Sequence, residues 1–335
     1  MKVLVTGGAG FIGSGFVRFL LERRPDAEVV TLDKLTYAGR LENLEPLGDE
    51  PRHRFVRGDV TDARVVGELA SACDAVVHLA AESHVDRSLR DARPFVRTNV
   101  VGTGTVLEAV RALGGRRLLH VSTDEVYGSL PLEGDAPGGG GAPFDEDSPL
   151  RPTSPYATSK AAGDELVRAW CAAYGLDAVV ARPSNTLGPR QYPEKAVPLF
   201  ATNAIEGGTL PLYGDGLHVR DWLHVEDLCE ALLALLERGR AGEAYNIGAG
   251  NPRSNLELAR GILRALGRGE ESIERVPDRP GHDRRYAMDM SKIEKELNWQ
   301  PARSAWPDAL ERTVRWYVEH PEWWRPLREG AGPSA

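Results

Sequence analysis

Cysteine is scarce in this chain. The three present, Cys73, Cys171 and Cys229, are odd in number, far apart and without a Cys-x-x-Cys pair. That excludes a disulfide framework or a thiolate metal cluster and predicts small core residues in a reducing cytoplasm. Runs of basic residues are missing as well. The 41 Lys and Arg are outnumbered by 49 Asp and Glu, giving a net charge of −8, and without clustered cations nothing supports a nucleic-acid partner. The longest hydrophobic run, around Leu228 to Leu236, is interrupted by Glu230 and falls well short of the ~20 apolar residues that span a membrane. His84, His224 and His282 share no metal-ligand spacing, so no metal site is expected. The chain opens directly on a strand pattern, Met1-Lys2-Val3-Leu4-Val5, which predicts no leader peptide before the fold. What is present is enough apolar content, 41% of 335 residues, to bury one large domain or two lobes.

Short β-branched runs alternate with amphipathic stretches through the first half. Strands are expected over Lys2–Thr6, 28–32, 54–56, 75–79, Arg117–Val121 and 178–181, and helices over Phe11–Arg23, 62–71, 98–113 and 156–174. That alternation predicts an α/β fold, a Rossmann-like doubly wound parallel sheet with helices on both faces. Residues 129–152 break it. They are rich in Gly, Pro and Asp, include Gly138-Gly139-Gly140-Gly141, and read as a flexible excursion beside the active site or as a plain surface loop. Beyond Arg182 the alternation weakens. The expected division is a dinucleotide-binding domain over 1–183, rejoined by 221–246 with its 225–236 helix, and a smaller C-terminal ligand-binding lobe from 184–220 and 247–335.

Thr6-Gly7-Gly8-Ala9-Gly10-Phe11-Ile12-Gly13 lies between the first strand and the first helix. Gly7, Gly10 and Gly13 let the backbone turn tightly and approach a pyrophosphate, and Phe11 and Ile12 open the helix whose N-terminus receives it. Asp33 closes the next strand, where its carboxylate would accept hydrogen bonds from the adenosine ribose and repel a 2′-phosphate. NAD is therefore expected rather than NADP. Asp59-Val60 and Leu79-Ala80-Ala81 follow the third and fourth strands, at the carboxyl ends where open α/β sheets bind ligands. Asp59 either faces the adenine or simply caps the helix near Asp62.

Tyr156 and Lys160, four residues apart, share one face of a helix. A nearby ammonium lowers a phenol's pKa and lets tyrosine act as a base toward an alcohol. Just past the strand Arg117–Val121 come Ser122-Thr123-Asp124-Glu125-Val126-Tyr127-Gly128, which add a hydroxyl and two adjacent carboxylates. Hydride transfer needs the Tyr/Lys couple but no acid and base beside it. Asp124 and Glu125 therefore point to elimination of water, the two carboxyls held in opposite protonation states by unequal burial. The bland reading is a solvated acidic pair in a loop.

These features resemble the extended short-chain dehydrogenase/reductase family and, within it, the nucleotide-sugar 4,6-dehydratases. The similarity rests on residues 6–13, 33–39, 79–88 and 122–128, Ser154-Pro155-Tyr156, Pro193-Glu194-Lys195, Tyr213-Gly214-Asp215-Gly216, Arg220-Asp221-Trp222 and Asp278-Arg279-Pro280-Gly281-His282-Asp283, in order through most of the chain. It implies a tightly bound NAD, regenerated each turnover, with Lys34, Thr36 and Thr98 added to its contacts. It implies a nucleoside-diphosphate hexose as substrate, dTDP-glucose foremost. Tyr156 would take the 4-hydroxyl proton with Thr123 sharing its hydrogen bond, and Lys160 would hold the cofactor ribose. Glu125 would remove the C5 proton while Asp124 protonates the departing 6-hydroxyl. Glu82 would meet the hexose, Asn185, Arg220 and Arg279 the diphosphate, Asn255 and Tyr286 the nucleotide end, and His282 a phosphate. Ser83, Glu194 and Lys195 complete the substrate set.

The resemblance also implies a homodimer paired through 98–113 and 156–174. One segment departs from the pattern: Thr186-Leu187 stands before Gly188-Pro189, where the family usually carries Asn-Tyr, which leaves the preferred sugar nucleotide open. The rival readings are an NAD-dependent nucleotide-sugar 4-epimerase or decarboxylase, a net dehydrogenase or ketoreductase, and a catalytically silent nucleotide-binding protein. The first two do not need Asp124-Glu125, and the last has no use for Tyr156 and Lys160.

Overall fold

The structure, a computed structural model, describes residues 1–132, 134 and 140–330. In chain order its strands are β1 (Lys2–Thr6), β2 (Glu28–Asp33), β3 (His53–Arg57), β4 (Ala75–His78), β5 (Arg117–Val121), β6 (Ala178–Pro183), β7 (Asn185–Leu187), β8 (Leu210–Tyr213), β9 (Val219–His224), β10 (Ala244–Ile247), β11 (Pro252–Ser254) and β12 (Ile273–Val276). One sheet runs β10-β6-β5-β4-β1-β2-β3, every pair parallel. The order reverses between β1 and β4, and at such a point open sheets bind nucleotides. β10 has no counterpart among the strands expected from the pattern; it pairs with β6, from Ala244 beside Val180 to Ile247 beside Pro183.

The sheet is buried on both faces, so its strands carry nearly unbroken apolar runs. Val3 and Val5 of β1 pack with Phe16, Val17 and Leu20 of helix Phe11–Arg23 and with Leu228, Leu232 and Leu235 of helix Val225–Arg238. Leu4 points the other way, to Val66, Val106, Val110 and Val167, as the two-residue period of a strand requires. Each such side chain contributes about 1.5–3 kcal/mol on burial. A further core gathers Leu187, Phe200, Leu212, Trp222, Ile262, Leu310, Tyr317 and Trp324. Late in the chain, Ile293, Leu297 and Trp299 return to the larger core. Among the described residues no helix is long and apolar enough to cross a membrane.

Helix Pro155–Tyr174 sets the register of the site. Ser154 Oγ accepts from Ala157 N at 3.1 Å, Pro155 occupies the first turn, and Gly175 ends the helix at φ 65°. These are the start and stop signals of an isolated sequence element, and they place Tyr156 and Lys160 in its first two turns.

Two expectations change. Residues 98–113 are not one α-helix: Val96–Gly102 is a π-helical turn leading into helix Thr103–Ala112. Within it Asn99 Oδ1 accepts from Glu82 N at 2.9 Å, and Nδ2 donates to Glu82 O at 2.9 Å and Ser159 Oγ at 2.8 Å. A Cβ on Gly102 would lie 2.6 Å from Val60 Cγ1. The widened turn accommodates both contacts. Residues 129–152, expected as a flexible excursion or a plain surface loop, are tied down where described: Leu130 N donates to Arg285 O and Phe144 N to Ala287 O, each at 2.9 Å, and Phe144 stacks on Tyr127 at 5.0 Å. Gly138 and Gly139 of the glycine run lie outside the described residues.

Candidate active site

A cavity of about 330 Å³ opens at the carboxyl ends of the parallel strands. Gly7, Gly10, Phe11, Ile12 and Gly13 line it after β1, Asp33, Lys34 and Thr36 at the end of β2, and Asp59 and Val60 after β3. Leu79, Ala80, Ala81, Glu82 and Ser83 follow β4, Thr98 comes from the π-helical turn, and Thr123, Asp124 and Glu125 follow β5. Tyr156 and Lys160 come from the long helix, and Asn185, Glu194 and Lys195 from beyond β6.

The dinucleotide end is shaped by glycine. Gly7 sits at φ +71°, and a Cβ on Gly13 would lie 2.1 Å from Gly7 O, so neither position admits a side chain. Helix Phe11–Arg23 begins at Gly10 with no side-chain cap, which leaves its amides available to an anion. Asp33 is held by Leu35 N at 2.8 Å and Ala9 N at 3.0 Å. Burial nonetheless pushes its carboxyl up, and each oxygen keeps a lone pair for a ribose hydroxyl. Asp59 is not the helix cap. Asp62 is, accepting from Arg64 N at 3.0 Å and Val65 N at 3.2 Å, while Asp59 pairs with Lys34 at 2.8 Å. Trp222 Nε1, Asn185 Oδ1, Ser184 Oγ and Asp124 Oδ2 are buried without a protein partner, on residues that line this one cavity. Buried polar atoms are rarely left so, and a dinucleotide beside a polar substrate fits them.

Thr123 connects the catalytic candidates. Its hydroxyl donates to Asp124 Oδ1 at 3.2 Å and accepts from Glu125 N at 3.3 Å, and it counts among the groups that lower the Tyr156 phenol. Burial raises both carboxyls. Asp124 goes well above its ordinary range, with the Glu125 charge adding and Arg220 alone among the cations opposing. Glu125 is raised against three opposing cations, Lys195, Arg279 and Arg220. The pair therefore separates as acid and base, through unequal burial and, beyond that expectation, through unequal exposure to positive charge.

Lys160 does not lower Tyr156 as expected. Its Nζ donates to Val121 O at 2.7 Å, and burial lowers its own pKa to about 8 against the pull of Asp164. The Tyr156 phenol is pushed up, by burial first and by the Glu125 charge second. The protein's own groups hold it protonated.

The remaining substrate candidates stand outside the cavity wall. Arg220 lies 4.2 Å from the Tyr286 ring and donates to Asp283 O at 2.7 Å, and Tyr286 Oη donates to Asp283 Oδ2 at 2.6 Å. Arg279 pairs with Asp86 at 3.0 Å. His282 stacks on His218 at 3.7 Å and shares a 2.7 Å hydrogen bond with Asp278, while Asn255 N donates to His218 O at 2.9 Å. Of these groups, Arg220 and Arg279 act on the cavity's Glu125, each lowering its carboxyl against burial. Tyr37, Gln191, Tyr192 and Trp222 also line the cavity and were given no role from sequence. All but Gln191 lie within or next to segments that carried the resemblance.

Such a cleft defines a nucleotide-dependent enzyme of the Rossmann class whose chemistry extends beyond hydride transfer. The chain belongs to the GDP-mannose 4,6 dehydratase family, whose model matches residues 4–306. It is 50% identical over 332 residues to a dTDP-glucose 4,6-dehydratase of Streptomyces niveus, covering 98% of this chain and 96% of that one. To another of Streptomyces griseus it is 52% identical over 327 residues, covering 97% and 96%. Among solved structures it is similar to the dTDP-glucose 4,6-dehydratase of Streptomyces venezuelae with NAD and dTDP bound, at TM-score 0.93 and 50% identity over 98% of this chain and 100% of that one. UDP-glucose 4-epimerase of Thermotoga maritima is similar at TM-score 0.85 and 30% identity, over 95% and 99%.

Proposed function

We propose that this chain is a hydro-lyase that converts dTDP-glucose to dTDP-4-keto-6-deoxyglucose in a redox-neutral, NAD-dependent dehydration. The observation that carries the reading is the adjacent Asp124 and Glu125 carboxyls, the first buried and raised well above its ordinary range, the second half-buried and raised against three cations, in one cavity with Tyr156 and Lys160. A 4-epimerase shares the fold but has no need of that pair. The full-length relatives named dTDP-glucose 4,6-dehydratase support the substrate.

Gly7, Gly10, Gly13 and the open helix N-terminus would hold the pyrophosphate of NAD, Asp33 its adenosine ribose and Lys160 its nicotinamide ribose. When bound, NAD would supply a reversible hydride acceptor, and its positive charge would favour the phenolate form of Tyr156. As the phenolate, Tyr156 would take the 4-hydroxyl proton as C4 is oxidised, with Thr123 sharing the hydrogen bond. The resulting 4-ketone acidifies the C5 proton, which Glu125 removes. Asp124, whose carboxyl burial pushes well above its ordinary range, gives its proton to the leaving 6-hydroxyl. Glu125 then returns a proton to C5 as C6 is reduced, so no net oxidation remains.

Residues 1–183 with 221–246 act as the cofactor domain, and 184–220 with 247–335 close over the nucleotide sugar, although Ile293 to Trp299 reach back to the larger core. Leu89, Val96 and Val101 are exposed apolar residues on elements beside helix Pro155–Tyr174, and this face pairs two copies as a homodimer. The three free cysteines suit a reducing cytoplasm.

Incubating the purified protein with NAD and dTDP-glucose tests the activity. A product lighter by one water, with no net NADH, is expected. A product isomeric with the substrate, or NADH in step with product, rejects it. Repeating with UDP-, CDP- and GDP-hexoses shows what Thr186-Leu187 does to preference.

A further inference from the structure

We propose that His218, Asp278 and His282 form a binding site for a divalent transition metal ion, zinc foremost. The three stand outside the wall of the catalytic cavity, so the assignment does not depend on the function proposed above.

The fold brings these ligands together from two segments, which is why histidine spacing in the sequence gave no sign of them. His218 leads into β9, and Asp278 and His282 lie four residues apart beyond β12. Val219 N donates to Arg284 O at 2.9 Å and Tyr286 N to Val219 O at 3.3 Å, which holds the two segments side by side. The ligand atoms that the three side chains offer lie within 4.8 Å of one another. His218 Nε2 stands 3.2 Å from Asp278 Oδ2, and His282 Nδ1 2.7 Å from Oδ1. The two imidazoles stack at 3.7 Å with 12° between their planes. Donors about 2.0–2.1 Å from a tetrahedral zinc are roughly 3.4 Å apart. The His218–Asp278 distance already suits that. His282 and Asp278 must part slightly, as the ion replaces the proton between them and that proton moves to the other ring nitrogen.

His218 is 2% exposed. Its Nδ1 is buried without a hydrogen-bond partner, and its Nε2 has only the Asp278 oxygen. A buried imidazole so thinly engaged is uncommon, and an ion on Nε2 gives it a function. Burial lowers both histidines, and His282, with Arg279 adding, falls to about 3. Asp278 is held below the ordinary carboxylate range, against its own burial, by hydrogen bonds from His282 and Arg279 N. Two neutral imidazoles and a carboxylate are the forms a metal takes without competing against protons. The neighbouring cations are engaged by other groups: Arg284 forks onto Asp215 at 2.6 Å, Arg279 pairs with Asp86 at 3.0 Å, and Arg220 donates to Asp283 O at 2.7 Å. Two nitrogens and a carboxylate favour zinc over magnesium or calcium, which take oxygen ligands. Three protein ligands leave a fourth position for a water or a phosphate oxygen.

The test uses the full chain, stripped of metal by a chelator and without nucleotide, dialysed against zinc alone. Atomic absorption is expected to find about one zinc per chain. His218→Asn and Asp278→Asn should each weaken binding by at least about tenfold, the loss that even an outer-shell partner causes. Cobalt in place of zinc should give the visible bands of a four-coordinate ion in the parent and none in His218→Asn. No bound zinc, or equal binding by the parent and His218→Asn, overturns the proposal, as does displacement of zinc by an equal concentration of magnesium. If circular dichroism shows Asp278→Asn unfolded, His218→Asn decides alone. Zinc should also raise the melting temperature of the parent, because it binds the folded state; an equal rise in His218→Asn overturns the site. None of these readouts needs turnover, so failure of the dehydratase reading, seen as no dehydrated product, is separate from failure of the metal site.

Discussion

The Arg87 guanidinium lies 3.8 Å from the centre of the Tyr37 ring, and its Nη2 lies 3.1 Å from Glu194 Oε2. Tyr192 closes the group edge-on to Tyr37 at 5.3 Å. Tyr37 follows the Asp33 segment, Arg87 belongs to the short helix after β4, and Tyr192 and Glu194 lie beyond β7. Three distant stretches are thereby clasped across the cavity that Tyr37, Tyr192 and Glu194 line.

Arg87→Ala should therefore loosen the cofactor while sparing the chemistry. A cation–π contact of this kind contributes about 1–2 kcal/mol, or roughly tenfold in affinity. The NAD that copurifies should drop, and added NAD should restore most of kcat. Copurified NAD can be quantified by its absorbance after denaturation.

Asp124 and Glu125 should fail differently. Removing either acid–base group lowers turnover by about 10²–10⁴-fold. Glu125→Gln should still oxidise C4 and accumulate bound NADH, because the step it performs comes later. Asp124→Asn should do so as well but keep exchange of the C5 proton with solvent, since Glu125 remains. Stopped-flow absorbance and NMR distinguish the two.

Asp124 also bears on stability. A carboxyl whose pKa is raised in the folded state binds its proton more tightly there than in the unfolded chain, so stability is lost as pH rises from the unfolded value, ~4, through the folded one. Burial raises Asp124 well above its ordinary range. Asp124→Asn should accordingly melt higher than the parent above neutral pH, by about 2–4 °C for each kcal/mol gained, and the difference should shrink toward pH 4. Thermal scans at several pH values check the sign.

Gly13→Ala should abolish dinucleotide binding without unfolding the sheet. The added Cβ would meet Gly7 O at 2.1 Å and Gly8 Cα at 2.8 Å, both backbone atoms that cannot turn aside. Equilibrium dialysis with NAD is expected to show at least a tenfold loss, alongside an unchanged far-ultraviolet spectrum.

Much of this was legible in the sequence because it is local. The loop of Gly7 to Gly13, Asp33 at a strand end, Thr123 to Glu125 and the Tyr156–Lys160 spacing each announce themselves within a few residues. β10 was not legible: Ala244-Tyr245-Asn246-Ile247 is four residues long and is made a strand by β6 beside it. The π-helical turn was hidden because Asn99 takes its partners from Glu82 and Ser159, 17 and 60 positions away. The elevation of Tyr156 was hidden for a related reason. Sequence places Lys160 one turn away, but the phenol responds first to burial and then to the Glu125 charge, and neither is a property of the helix alone. Arg220, Arg279 and His282 were proposed by motif, and the bonds of Arg220 to Asp283 and of Arg279 to Asp86, 63 and 193 positions away, depended on the fold.

The central claim is that Glu125 exchanges a proton at C5 during a water elimination. The direct measurement is the reaction of dTDP-glucose and NAD in heavy water, followed by proton NMR and mass spectrometry of the product. The account predicts loss of one water with one solvent deuterium at C5, and loss of both in Glu125→Gln. A dehydrated product with protium retained at C5, or full deuterium exchange in Glu125→Gln, would contradict it.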